Sequence, residues 1–202
     1  ENRGAGHELF NSGLVKLVSE LGSFSTVYYV ADSTSVKNTK MCLTLASASC
    51  PQVSYLTIGP AYPAYTMRRV MEEIKTINYM ADKCDTIIFS CSSGTLLLAH
   101  AFASLVSHRV REIKVTHFFH GTVENLRPFN KRPDRPYLLN GFSSRILLGR
   151  LFMSFAAGLG LNSRLTNSDY AVLSIETRAH LAKTYPWLSD RFRFQPHPWV
   201  RF

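Results

Sequence analysis

Three adjacent stretches decide the fold: Gly4-Ala5-Gly6-His7-Glu8, the run 10–21, and Thr26-Val-Tyr-Tyr-Val-Ala31-Asp32. In the middle stretch Phe10, Leu14, Leu17, Val18 and Leu21 recur at helical spacing, which predicts a helix with those side chains on its buried face. The third stretch is apolar and β-rich, which predicts a strand. A glycine turn, a helix and a strand in that order form the middle of a nucleotide-fold unit, where backbone N–H groups at a helix start face a ligand. Such a turn follows a strand, so the first strand of the domain is expected upstream of Glu1.

Outward from that unit the alternation continues. Helix 35–49 is closed by Pro51, and strand 53–58 ends at Gly59-Pro60. Helix 65–81 sets Met67, Val70, Met71, Ile74 and Ile77 on one face. Strand 86–89 leads through Ser90-Cys91-Ser92-Ser93-Gly94 into an apolar helix reaching 108. Strand 113–119 ends at His120-Gly121, and strand 169–173 precedes a helix over 174–185 capped by Ser174. A short strand, 191–194, runs into Gln195-Pro196-His197-Pro198-Trp199. The expected fold is α/β, a Rossmann-like parallel sheet with helices on both faces. Residues 1–195 would form one such domain and 196–202 the start of a linker. Right-handed crossovers put every strand's C-terminal end on one edge. That edge would gather the opening turn, Asp32, Gly59, the turn 90–94 and His120-Gly121.

Two segments break the alternation. Arg127-Pro-Phe-Asn-Lys131-Arg132-Pro-Asp-Arg135 is a basic, proline-rich loop of the length that functional loops have. Residues 143–161 hold Ile146, Leu147, Leu148, Leu151, Phe152, Met153 and Phe155 around Arg145 and Arg150, a pattern that suits a buried helix or one lying in a membrane interface.

The chain has 202 residues, 46% of them hydrophobic, enough to bury a core. Its formal charge of +9 favours acidic partners: nucleic acid, anionic lipid headgroups or phosphate-bearing substrates. No apolar stretch reaches the length of a membrane span without charge. Cys42, Cys50, Cys84 and Cys91 show no C-x-x-C pair and no histidine at zinc spacing, so buried free thiols are expected and no metal site. Free thiols suit a reducing compartment.

The opening Gly-Ala-Gly-His-Glu with its helix and strand resembles the first loop of GT-B glycosyltransferases. The closing stretch Ala171-Val-Leu-Ser-Ile-Glu-Thr-Arg-Ala-His-Leu, a Tyr-Pro-Trp spacer and Arg-Phe-Gln-Pro-His-Pro resembles the end of their N-terminal domain. With Phe119-His120-Gly121 between them, the resemblance spans nearly the whole chain in order. It implies one half of a two-domain architecture: an acceptor-binding domain whose nucleotide-binding C-terminal partner lies beyond Phe202. The implied reaction moves a sugar from a nucleotide-sugar donor to a glycan or lipid-linked acceptor, with no further cofactor. The implied location is cytoplasmic, peripheral to an anionic membrane surface. Residue by residue, His7 and Glu8 match the first-loop position that deprotonates the acceptor in inverting members. His120 matches the strand-end histidine that contacts the transferred sugar in retaining members. Gly4, Gly6 and Gly121 would line the acceptor site, Arg132 and Arg135 would meet pyrophosphate or lipid, and His197 would approach the donor. The frame Gly121-Thr122…Asn125-Leu126 is similar to one in bacterial sialyltransferases, but the acidic pair that precedes the glycine there is missing, which counts against sialyl transfer.

A second reading makes Ser90–Gly94 a nucleophile elbow, with Ser92 as nucleophile, Asp134 or Asp169 as acid and His197 as base, in an esterase of the α/β-hydrolase kind. Ser90 stands where the elbow wants glycine, and the serines also suit capping of the following helix. A third reading, a basic nucleic-acid-binding module, rests on charge alone.

Overall fold

The computed structural model describes residues 7–59, 66–120 and 155–196. The chain is α/β, with parallel sheets flanked by helices. Its described residues fall into two compact units, 7–59 and 66–195.

The first unit holds α1 (His7–Glu20), β1 (Val27–Ala31), α2 (Ser33–Leu45) and β2 (Val53–Thr57). β1 and β2 are parallel, with Val27 opposite Val53 and Ala31 opposite Thr57. The crossover helix α2 starts at an Asp32 cap whose Oδ1 accepts from the N–H groups of Thr34 and Ser35, while Oδ2 accepts from the Ser35 hydroxyl. Burial opposes ionisation of Asp32, but these bonds outweigh it and hold the carboxyl below its usual range. Asp32, expected at the ligand edge, is therefore committed to starting a helix.

Helix α1 departs from the expected packing. Its buried positions are Phe10, Asn11, Ser12, Gly13, Val15 and Ser19, whereas Leu17 and Leu21 are exposed. Two polar side chains of that face have tertiary partners: Asn11 Nδ2 donates to the Tyr29 hydroxyl at 3.1 Å, and the Ser12 hydroxyl lies 3.4 Å from the Thr39 carbonyl. Gln52 Nε2 donates to the Ser19 backbone carbonyl at 2.7 Å, while the Ser19 hydroxyl is buried with no partner among the described residues. Hydrogen bonding offsets the cost of burying Asn11 and Ser12, so the helix turns this face inward.

The second unit holds α3 (Met67–Ala81), β3 (Thr86–Phe89), α4 (Gly94–Val106), α5 (His108–Glu112), β4 (Lys114–Phe119), α6 (Phe155–Leu165), β5 (Ser168–Val172), α7 (Ile175–Thr184), a 3-10 turn (Pro186–Arg191) and β6 (Phe192–Phe194). The four strands are parallel, in the order β3-β4-β5-β6. Spatial order equals chain order, so right-handed crossovers deliver α4, α5, α6 and α7 to one face of this sheet. The core confirms that side. Val115 of β4 packs with Val70 and Ile77 of α3, Leu98 and Ala103 of α4 and Val110 of α5. Phe119 of β4, Tyr170 and Val172 of β5 and Phe192 of β6 pack with Leu97 of α4, Leu159 of α6 and Leu181 of α7. Met67 and Met71, placed by spacing on the buried face of α3, are exposed instead, while Val70 and Ile77 are buried as expected.

Helices α4 and α6 pack closely. A Cβ built on Gly158 would lie 2.7 Å from the Gly94 carbonyl oxygen and 3.2 Å from Leu97 Cβ. Gly158 of α6 meets the start of α4 and Asn162 meets His100 further along, so the two helices run in the same direction.

Candidate functional site at the strand ends

The C-terminal edge of the second unit's sheet is shaped by the turn between β3 and α4. Ser93 caps α4 by accepting from Leu96 N–H at 3.2 Å, so the expected capping role falls to one serine of the turn. Three bonds stitch the turn to β4. Ser92 N–H donates to the Phe118 carbonyl at 2.8 Å, the Ser92 hydroxyl lies 2.9 Å from His117 Nδ1, and His120 Nε2 lies 2.6 Å from the Ser90 carbonyl oxygen. A carbonyl only accepts, so His120 Nε2 carries a proton, and in the neutral ring Nδ1 is the basic nitrogen. His120 is half-buried at this edge, one residue past β4.

Below the edge runs a buried polar chain. His117 Nε2 lies 3.1 Å from His100 Nδ1, and Asn162 Nδ2 lies 2.8 Å from the same atom. Asn162 Oδ1 accepts from the Tyr170 hydroxyl at 2.8 Å and from Thr166 Oγ1 at 3.2 Å. Those two donors orient the Asn162 amide, so its NH2 donates to His100 Nδ1. His100 Nδ1 is then an acceptor, His117 Nε2 a donor, His117 Nδ1 an acceptor and the Ser92 hydroxyl a donor. One amide orientation thus sets the proton positions along the chain. His100, His117, Asn162 and Tyr170 are all fully buried, and Ser92 is 5% exposed. The His100 Nε2 proton that this assignment requires has no partner among the described residues.

Burial keeps both imidazoles neutral. His100 is lowered to about 4, and His117 is pushed well below its usual value by burial first and by His100 second. Burial raises the Tyr170 hydroxyl well above its usual value, against the opposing pull of Arg191.

Ser92 pairs with His117, and Asp169 faces Arg193 at 3.3 Å; Asp134 and His197 lie outside the described residues. Among the described residues, His117 is backed by a second neutral imidazole and an amide, where a hydrolase places a carboxylate that stabilises its imidazolium.

The other expected site residues divide between the units. His7 opens α1 and Glu8 lies in its first turn, where a negative charge suits the helix dipole. Glu8 Oε1 accepts from Asn38 Nδ2 of α2 at 3.5 Å. Both belong to the first unit and His120 to the second. Gly4, Gly6, Gly121, Arg132, Arg135 and His197 lie outside the described residues, as do Glu124 and the segment 143–154. The four cysteines form no disulfide and are half-buried rather than buried. Among the described residues no helix is long and apolar enough to cross a membrane, and no three metal-ligating side chains come together.

His117, His100 and Asn162 were not singled out by the sequence. Their pairings span 17 and 62 positions, beyond any local pattern. The available signal was a histidine in the middle of an apolar helix and another in the middle of an apolar strand. Comparison with protein-family models, with curated proteins and with solved structures finds no match.

Proposed function

We propose that this chain is the acceptor-side domain of a GT-B glycosyltransferase, acting on a nucleotide-sugar donor and a glycan or lipid-linked acceptor. The observation that supports the reading best is the place of His120. It follows β4 directly, at the edge of a parallel sheet where ligands of open α/β folds bind, and is anchored to the neighbouring turn through the Ser90 carbonyl. In an inverting enzyme the proposed base that removes the acceptor proton is His7 or Glu8 at the start of α1. The basic stretch with Arg132 and Arg135 supplies pyrophosphate or lipid headgroup contact.

Saturation-transfer NMR against a panel of mono- and oligosaccharides tests the reading: binding is expected, and binding that survives His120→Ala unchanged overturns the assignment of the site. A fluorophosphonate tests the esterase alternative, in which Ser92 is the nucleophile. Covalent labelling of Ser92 would replace the transferase reading with the hydrolase one. Reversing Arg132 and Arg135 to glutamate is expected to weaken binding to anionic liposomes at least tenfold, and unchanged binding removes the membrane role.

A further inference from the structure

We infer that His117 is a positioning residue for the strand-end site: through Nδ1 it holds Ser92, and with it the turn against which His120 is set. The inference deepens the transferase reading, but its first readout is the geometry of the turn, which does not depend on what the site binds.

The turn at residues 90–92 is tied to the neighbouring strand through Ser92. It lies between the last residue of β3 and the cap of α4, outside both sets of regular backbone bonds. The bonds described for it run to β4, at Phe118, His117 and His120. The middle one is a side-chain bond to a ring that cannot turn away. The His117 ring packs between Phe89, with centroids 4.8 Å apart, and Tyr170, at 5.9 Å, while Nε2 is engaged by His100. His100 is fixed in turn by Asn162, which the Tyr170 hydroxyl holds. The chain of bonds therefore runs from α6 and β5 through α4 and β4 to the edge, with Ser92 as its last member. Because His117 lies in β4 and His120 directly follows it, a shift of the turn moves the Ser90 carbonyl away from the His120 ring that it orients. His117 is too deep to touch a ligand itself; it acts through Ser92.

Two substitutions separate positioning from mere core filling. The Oδ1 of asparagine falls near the place of imidazole Nδ1, and the side-chain amide of glutamine near the place of Nε2. His117→Asn thus keeps an acceptor for Ser92 and gives up His100, whereas His117→Gln keeps a group for His100 and gives up Ser92. Native-state hydrogen exchange at pH 7 reads the Ser92 N–H, and imidazole NMR reads His120. In His117→Gln the protection of the Ser92 N–H is expected to fall at least tenfold and the His120 ring signals to move. In His117→Asn both are expected to stay close to wild type, with protection within threefold. Ser92→Ala, which removes only a hydroxyl, is expected to match His117→Gln and serves if the glutamine variant does not fold. Equal losses in the Asn and Gln variants, or a Ser92→Ala protein with wild-type protection, overturn the inference and leave His117 as core. Saccharide affinity measured on the same proteins is expected to fall about tenfold in His117→Gln and to survive in His117→Asn. If the turn behaves as expected and no saccharide binds to any of the proteins, the positioning stands and the transferase reading falls.

Discussion

Each unit puts a polar ring in the middle of a parallel strand and ties it to the helices packed around that strand. In the first unit the ring is Tyr29 of β1, whose hydroxyl accepts from Asn11 of α1 and Thr39 of α2, each at 3.1 Å. In the second it is His117 of β4, bonded to His100 of α4 and through it to Asn162 of α6. The construction is similar but the response to protons is not. Burial raises the Tyr29 hydroxyl above its usual value, so that ring stays neutral at any pH the protein tolerates. The histidine pair is neutral only because burial has lowered it, and acid reverses that. The same structural device is thus inert in one unit and titratable in the other.

The largest expected effect is acid lability confined to the second unit. Where a folded histidine is less basic than the unfolded one, the unfolded chain binds more protons in the intervening window, so stability falls as pH falls. The stabilisation is fully present above the unfolded value of 6.5 and is lost progressively toward pH 4. A shift of His100 from 6.5 to about 4 corresponds to about 3 kcal/mol, and His117 adds to it. Hydrogen-exchange protection followed from pH 7 to 4 should collapse in β4 and α4 while β1 and α2 keep theirs. Equal losses in both units would break the comparison.

A smaller effect separates the two asparagines. Asn162→Leu strips partners from the buried Tyr170 hydroxyl and from His100, and should cost about 2–4 kcal/mol in urea unfolding, since each buried group left unsatisfied costs about 1–3 kcal/mol. Asn11→Leu leaves Tyr29 with Thr39 and should cost only about 1 kcal/mol. Equal costs would show that the second network is no more tightly coupled than the first. Between the two falls Gly158→Ala. Its Cβ would meet a backbone oxygen that no rotamer change can move, so a loss of about 1–3 kcal/mol is expected from the strain of overpacking. Thermal melts that leave this variant unchanged would mean that α4 and α6 separate freely.

The sequence carried the architecture because the fold's main signals are local. Thr86–Phe89 forms a strand over the span that its apolar run indicates, bounded by Asp85 and the serine turn. Ser174 caps α7 as its position before the helix suggests, accepting from Thr177 N–H at 3.2 Å. Packing of α1 was not legible, because burying Asn11 and Ser12 in place of Leu17 and Leu21 depends on partners 18 and 27 positions away. For the same reason Ser92 was visible as part of a strand-to-helix turn, whereas its bond to His117 was not. The elbow pattern suggested a nucleophile, and the structure shows that hydroxyl buried and bonded to His117. His120 was legible, as a histidine where a strand stops.

The most direct test of the proposal is to follow the His120 imidazole by NMR while titrating the saccharide that binds best. Saturable shifts at His120 and at the amides of residues 90–93, lost in His120→Ala, are the predicted result. Saccharide binding that leaves those signals unmoved, or Ser92 labelled by a fluorophosphonate, would contradict it.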